Sequence, residues 1–156
     1  MDNNNPQYFA NEPENTENKR PAFLTTLCIL TFIGSGFSLL SQIFSYAYYD
    51  KIPDMMINMA DIIGGQYGKM YLDLAETFSS MPPYYFLLLA VVYFLSITGA
   101  TLMILLRKIG FHIYTISQLL VIGLPLLILH APFNIGNLLL ALAFVLFYAR
   151  YLKIMK

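Results

Sequence analysis

The stretch FLTTLCILTFIGSGFSLLSQIFSYAYY, residues 23–49, decides what kind of protein this chain makes. From Phe23 to Tyr46 it holds no Asp, Glu, Lys, Arg or Pro, and about 20 apolar residues suffice to cross a bilayer as a helix. Inside hydrocarbon only a helix or a closed barrel pairs every backbone N–H and C=O internally, and no alternating strand pattern runs through this segment. It reads as a membrane-spanning helix. Along it Thr31, Gly34, Ser38, Ser41 and Ser45 recur at steps of three and four, while Leu27, Leu30, Phe37, Leu40 and Phe44 line another face. Such a stripe of small residues suits close approach of a second helix, and helix packing is favoured over pore lining.

Working outward, 58% of the 156 residues are hydrophobic and only 12% are charged, the balance of a small integral membrane protein with a single domain. Nine basic and nine acidic side chains cancel, and no basic patch marks a nucleic-acid partner. Cys28 is the only cysteine, which excludes an intrachain disulfide and a cysteine-based metal site. Lys19 and Arg20 before an apolar run also fit a secretory signal, but the run is longer than the 7 to 15 residues usual for a signal core, so a retained span is expected.

Residues 1–20 are rich in Asn, Glu and Pro and nearly free of aliphatic side chains, the composition of a disordered polar tail. After the first span, residues 52–80 place Ile52, Met56, Met59, Ile63, Met70, Leu74 and Phe78 at helical spacing, with Asp54, Asn58, Asp61 and Glu76 largely opposite. Gly64, Gly65 and Gly68 interrupt this amphipathic pattern, and two helices hinged there are expected. Such a segment can lie on the membrane surface or cap the bundle. Pro82 and Pro83 end it, and further apolar runs follow at about 84–106, 110–130 and 135–152, the third carrying Gly123 and Pro125 and the fourth near the lower limit for spanning. With the first span at about 23–47, the sequence predicts an all-α integral membrane four-helix bundle with an amphipathic exoplasmic segment between spans one and two. Lys19, Arg20, Arg107, Lys108, Arg150, Lys153 and Lys156 fall on one side of this arrangement, which makes that side, and both termini, cytoplasmic. Tyr46, Tyr48 and Tyr49 then meet Tyr84, Tyr85 and Phe86 in an aromatic belt at the other interface.

An ionisable group in mid-membrane is the usual mark of a pump, transporter or membrane enzyme. The cores of the four runs contain no Asp, Glu, Lys or Arg. His112 and His130 flank the third run at opposite ends and cannot share a metal; no H-E-x-x-H, phosphate loop or Ser/His/Asp grouping appears. The acids Asp50, Asp54, Asp61, Asp73 and Glu76 match no calcium loop and read as a solvated face, and Met55, Met56, Met59, Met70 and Met81 read as adaptable apolar surface rather than a copper site. No cofactor, metal or catalytic residue is expected. Candidates for helix packing or interaction are Thr31, Gly34, Ser38, Ser41, Gln42, Ser45 and Gln118, the two amides as interhelical hydrogen-bonding groups. The expected function is a non-enzymatic membrane interaction or accessory protein whose partners are the lipid bilayer and either itself or another membrane protein. The alternative is a transporter or channel subunit acting as an oligomer.

The run Arg20-Pro21-Ala22-Phe23-Leu24-Thr25-Thr26-Leu27-Cys28-Ile29-Leu30-Thr31-Phe32-Ile33-Gly34-Ser35-Gly36, followed by Arg107-Lys108-Ile109-Gly110-Phe111-His112-Ile113-Tyr114, resembles a group of small four-span inner-membrane proteins of Bacteroidota-type bacteria. The resemblance runs from Arg20 to the end of the chain. It implies a bacterial inner membrane and four spans, and no activity, because none is established for the group.

Overall fold

Every regular element in the computed structural model, which describes residues 21–130 and 135–155, is a helix. In chain order they are α1 (Ala22–Ala47), α2 (Ile52–Ile63), α3 (Gly65–Ser80), α4 (Pro83–Ile104), α5 (Lys108–Ile128) and α6 (Ile135–Ala149). The polar tail expected at 1–20 and the turn residues 131–134 lie outside the described residues. Three helices, α1, α4 and α5, with 26, 22 and 21 residues, are long and apolar enough to cross a membrane. The last helix, α6, has 15 residues and rises about 22 Å, short of the ~30 Å hydrocarbon thickness.

Sequence placed the end of that fourth run near residue 152, and the helix stops three residues earlier for a visible reason. After Ala149 the chain tightens into i to i−3 bonds, from Tyr151 N–H to Tyr148 O, Leu152 N–H to Ala149 O and Ile154 N–H to Tyr151 O. This turn brings Met155 back into the core, where it is buried beside Leu24, Leu27, Cys28, Ala100, Met103, Tyr114 and Tyr148.

At the centre stands α4, packed along α1 on one side and α5 on the other, while α6 reaches the bundle through α5 and, more lightly, α1. The close crossing of α4 and α5 depends on a glycine pair. A Cβ added to Gly110 would sit 2.7 Å from Gly99 O and from Met103 N, and one added to Gly99 would sit 2.8 Å from Tyr114 N. Gly110, read from sequence as the start of the third run, is therefore the buried third residue of α5, which begins at Lys108. The turn before it closes with Leu106 N–H to Met103 O and Arg107 N–H to Leu102 O, the paired bonds of a Schellman cap. Its left-handed position is filled by Leu106, at φ 57°, where glycine is usual.

The segment after α1 splits as the glycines predicted, with Gly64 and Gly65 both at positive φ between α2 and α3. Gly68 lies within α3 and is buried against Ala60; its added Cβ would meet Ala60 O at 2.7 Å. The two helices run out and back. Tyr49, three residues before α2, donates its hydroxyl to Met81 O at 2.7 Å and to Ser79 O at 3.2 Å, so the start of α2 and the end of α3 share one base. At that base Tyr49, Phe78 and Met81 pack on Tyr85, Phe86 and Leu89, with Phe78 and Phe86 stacked at 4.9 Å between centroids. Beyond the base, α2 and α3 pack chiefly on each other rather than over the ends of the long helices.

Candidate functional site

The buried polar side chains of the long helices, Thr31, Ser35, Ser96 and Ser117, converge on one seam. Leu24, Cys28, Thr31 and Ser35 follow one another along α1 at alternating steps of four and three, the spacing of a helix seam that faces one neighbour, and all are buried. Continued, that spacing reaches Ser38, Gln42 and Ser45, each half-buried. From α4 and α5 come Ser96 and Ser117, both fully buried, and the half-buried Gln118. Tyr148 from α6 closes the seam with 0% exposure, the largest side chain buried to that degree.

These groups answer one another. Thr31 Oγ1 and the Tyr148 hydroxyl lie 2.9 Å apart, and Ser35 Oγ and Ser96 Oγ 3.0 Å apart, each a hydrogen bond in which either oxygen can donate. Gln118 Nε2 donates to Ser96 Oγ over 3.5 Å, at the limit of a hydrogen bond. Ser117 Oγ donates to the Tyr114 carbonyl of its own helix at 2.7 Å. The Tyr114 ring meets the Tyr148 ring edge to face at 4.9 Å, with Cys28 in the same buried cluster. One atom stands out: Gln42 Oε1 is buried and has no hydrogen-bond partner among the described residues.

Of the residues singled out by sequence, Thr31 lies in the seam and hydrogen-bonds across it, and Gln118 contributes its long bond to Ser96. Ser38, Gln42 and Ser45 lie at its edge, half-buried. Gly34 and Ser41 face outward; a Cβ on Gly34 would have nothing within 4 Å. Two stripes cross on α1, one through 31, 34, 38, 41 and 45 and one through 31, 35, 38, 42 and 45, and the second is the buried one. Ser35, Tyr114 and Tyr148 were missed by sequence reading. For Ser35 the clue was the regular seam running from Leu24 and Cys28. Nothing in the spacing around Tyr148 set it apart from the other tyrosines.

Hydroxyls and amides of this kind join helices and hold one another in register. His112 and His130 are exposed, at opposite ends of α5. Among the described residues no three His, Cys, Asp or Glu side chains converge on a point that could hold a metal ion. Comparison of the chain with protein-family models, curated proteins and solved structures gave no match.

Proposed function

We propose that this chain is a non-enzymatic integral membrane interaction protein, an accessory or scaffold subunit of the bacterial inner membrane, with four spans, both termini cytoplasmic and the α2–α3 hairpin on the exoplasmic side. The observation that carries the reading is the pairing of polar groups across the seam: Thr31 with Tyr148, and Ser35 with Ser96. Bonds of this kind, worth about 0.6 to 2 kcal/mol each between membrane helices, align helices and occupy the polar groups that make them. Outside the seam, α1 exposes Ile33, Gly34, Phe37, Leu40 and Ser41, an apolar surface in which Gly34 and Ser41 leave room for a second helix. Crosslinking in intact cells followed by mild-detergent purification is expected to recover a defined complex. A strictly monomeric, partner-free chain at native abundance would overturn the proposal.

A second reading, an oligomeric channel or transporter subunit, is favoured by the unpaired Gln42 Oε1 and the outward Ser41. Thr31 and Gln118, the other polar residues of such a lining, already have partners within the chain. Flux in reconstituted vesicles that is lost in Gln42→Leu, with folding intact, would establish this reading over the first.

A further inference from the structure

We infer that the α2–α3 hairpin lies flat on the bilayer, with one continuous apolar face sunk into the headgroup boundary and its acidic face in water. The inference rests on the membrane-spanning reading of α1, α4 and α5. Its first support is the direction of the side chains. At about 100° per residue, Met55, Met59 and Ile62 project from α2 to one side of Ala60, the residue in contact with α3. Tyr67, Met70 and Leu74 project from α3 by a similar angle, in the same rotational sense, from Gly68. Because the helices are antiparallel, equal offsets from the contact line put both sets on the same side of the hairpin. All six are exposed, Ile62 at 79% and Tyr67 at 70%. Asp54, Asn58 and Asp61 of α2, with Lys69, Asp73 and Glu76 of α3, are offset the opposite way and make most of the other side, also exposed, with Ile57 and Leu72 beside them nearer the line of contact. The hairpin is a two-sided slab.

The second support is where the slab is tied. Only four residues separate α1 from α2, and only Met81 and Pro82 separate α3 from α4. Both ends therefore start at the level where Tyr49 packs on Tyr85 and Phe86, and aromatic residues of this kind gather at the headgroups. Tyr49 fixes the base there through its bonds to Ser79 O and Met81 O. The ends of the long helices do not cover the apolar side, since beyond the base the hairpin packs on itself. A lipid surface at the same depth does. Five acids against two lysines in residues 50–82 make this contact apolar rather than electrostatic, so it needs no anionic lipid.

The test uses the full-length chain reconstituted in phosphatidylcholine vesicles. A polarity-sensitive fluorophore is attached in turn to Met59→Cys, Met70→Cys, Asp61→Cys, Asp73→Cys and, as a span control, Val91→Cys, all at exposed positions. The parent chain, whose Cys28 is fully buried, sets the labelling background. At positions 59 and 70 we expect quenching by lipids brominated high on the acyl chain and aqueous iodide quenching about threefold weaker than at 61 and 73, unchanged when phosphatidylglycerol is added. Equal iodide access at all four hairpin positions overturns the inference. Shielding of 59 and 70 from both quenchers that disappears as lipid dilutes the protein also overturns it and assigns the face to a second copy. If the label at 91 escapes lipid quenching, the membrane-spanning reading itself has failed; if 91 is quenched and 59 and 70 are not, only the hairpin inference has.

Discussion

The crossing of α4 with α5 and the crossing of α2 with α3 are made the same way, with a glycine pressed to the backbone of the opposing helix. Gly110 meets Gly99 O, and Gly68 meets Ala60 O, with an added Cβ in each case 2.7 Å from the oxygen. Around the first pair Met103, Tyr114, Ala100 and Tyr148 are buried. Around the second, Ile62, Ile63, Tyr67 and Met70 are exposed. Close backbone approach sets where two helices cross, but a third and fourth helix must cover the crossing before it becomes a core. The α4–α5 end has α1 and α6 for that purpose. The hairpin has only itself, and the chain leaves its apolar side for something outside the protein.

The largest expected effect tests this contrast directly. Gly110→Val forces a branched side chain against the backbone of Gly99 and Met103 and the Leu102 side chain and should cost about 3 kcal/mol of stability, read as a lowered unfolding midpoint in detergent. Gly68→Val meets an equally close oxygen, but the hairpin can open without disturbing other helices, so its cost should be nearer 1 kcal/mol and confined to faster amide exchange in α2 and α3. Equal costs for the two would mean that the hairpin is as tightly covered as the core.

Next in size is the seam. Tyr148→Phe and Thr31→Val each remove the Thr31–Tyr148 hydrogen bond and should each cost about 1 kcal/mol. The double variant should cost clearly less than the sum, because both polar ends go together. Additive losses in the same unfolding assay would show that the 2.9 Å contact contributes nothing of its own.

A smaller effect sharpens the account of how α4 turns into α5. Leu106 is half-buried and also sits at φ 57°, so replacing it removes packing in any case. Comparing Leu106→Gly with Leu106→Ala isolates the backbone: both lose the side chain, and the glycine variant should be more stable by about 1 kcal/mol because only it adopts the left-handed cap freely. The smallest effect is expected at the hairpin surface. Met55→Ser should change the unfolding midpoint by less than about 0.5 kcal/mol, since Met55 is 62% exposed and touches no core. A large loss there would place Met55 under protein rather than at the surface.

Much of this was legible along the chain. The uncharged length of 23–47 and 84–106 foretold α1 and α4, and Gly64 and Gly65 foretold the break between α2 and α3, because length, charge and positive φ are local properties. The seam was half legible. On α1 the small residues fit two stripes that share 31, 38 and 45, and only the continuation of 35 and 42 back to Leu24 and Cys28 favours them over 34 and 41. The choice belongs to α4, whose Ser96 faces Ser35.

The sequence by itself determined that the chain is helical, that the runs at 23–47, 84–106 and 110–130 are long and apolar enough for a membrane while the fourth is near the lower limit, and that acids and methionines alternate around one pair of shorter helices. Only the tertiary structure decided that Tyr148 and Met155 return to a core begun at Leu24, that Gly110 is a packing notch rather than a helix start, and that α2 and α3 share one uncovered apolar side. Helix length and polarity are set by neighbours a few residues away in the chain. Burial is set by residues a hundred positions away, and on one helix a shift of a single residue turns a side chain by about 100° out of the core.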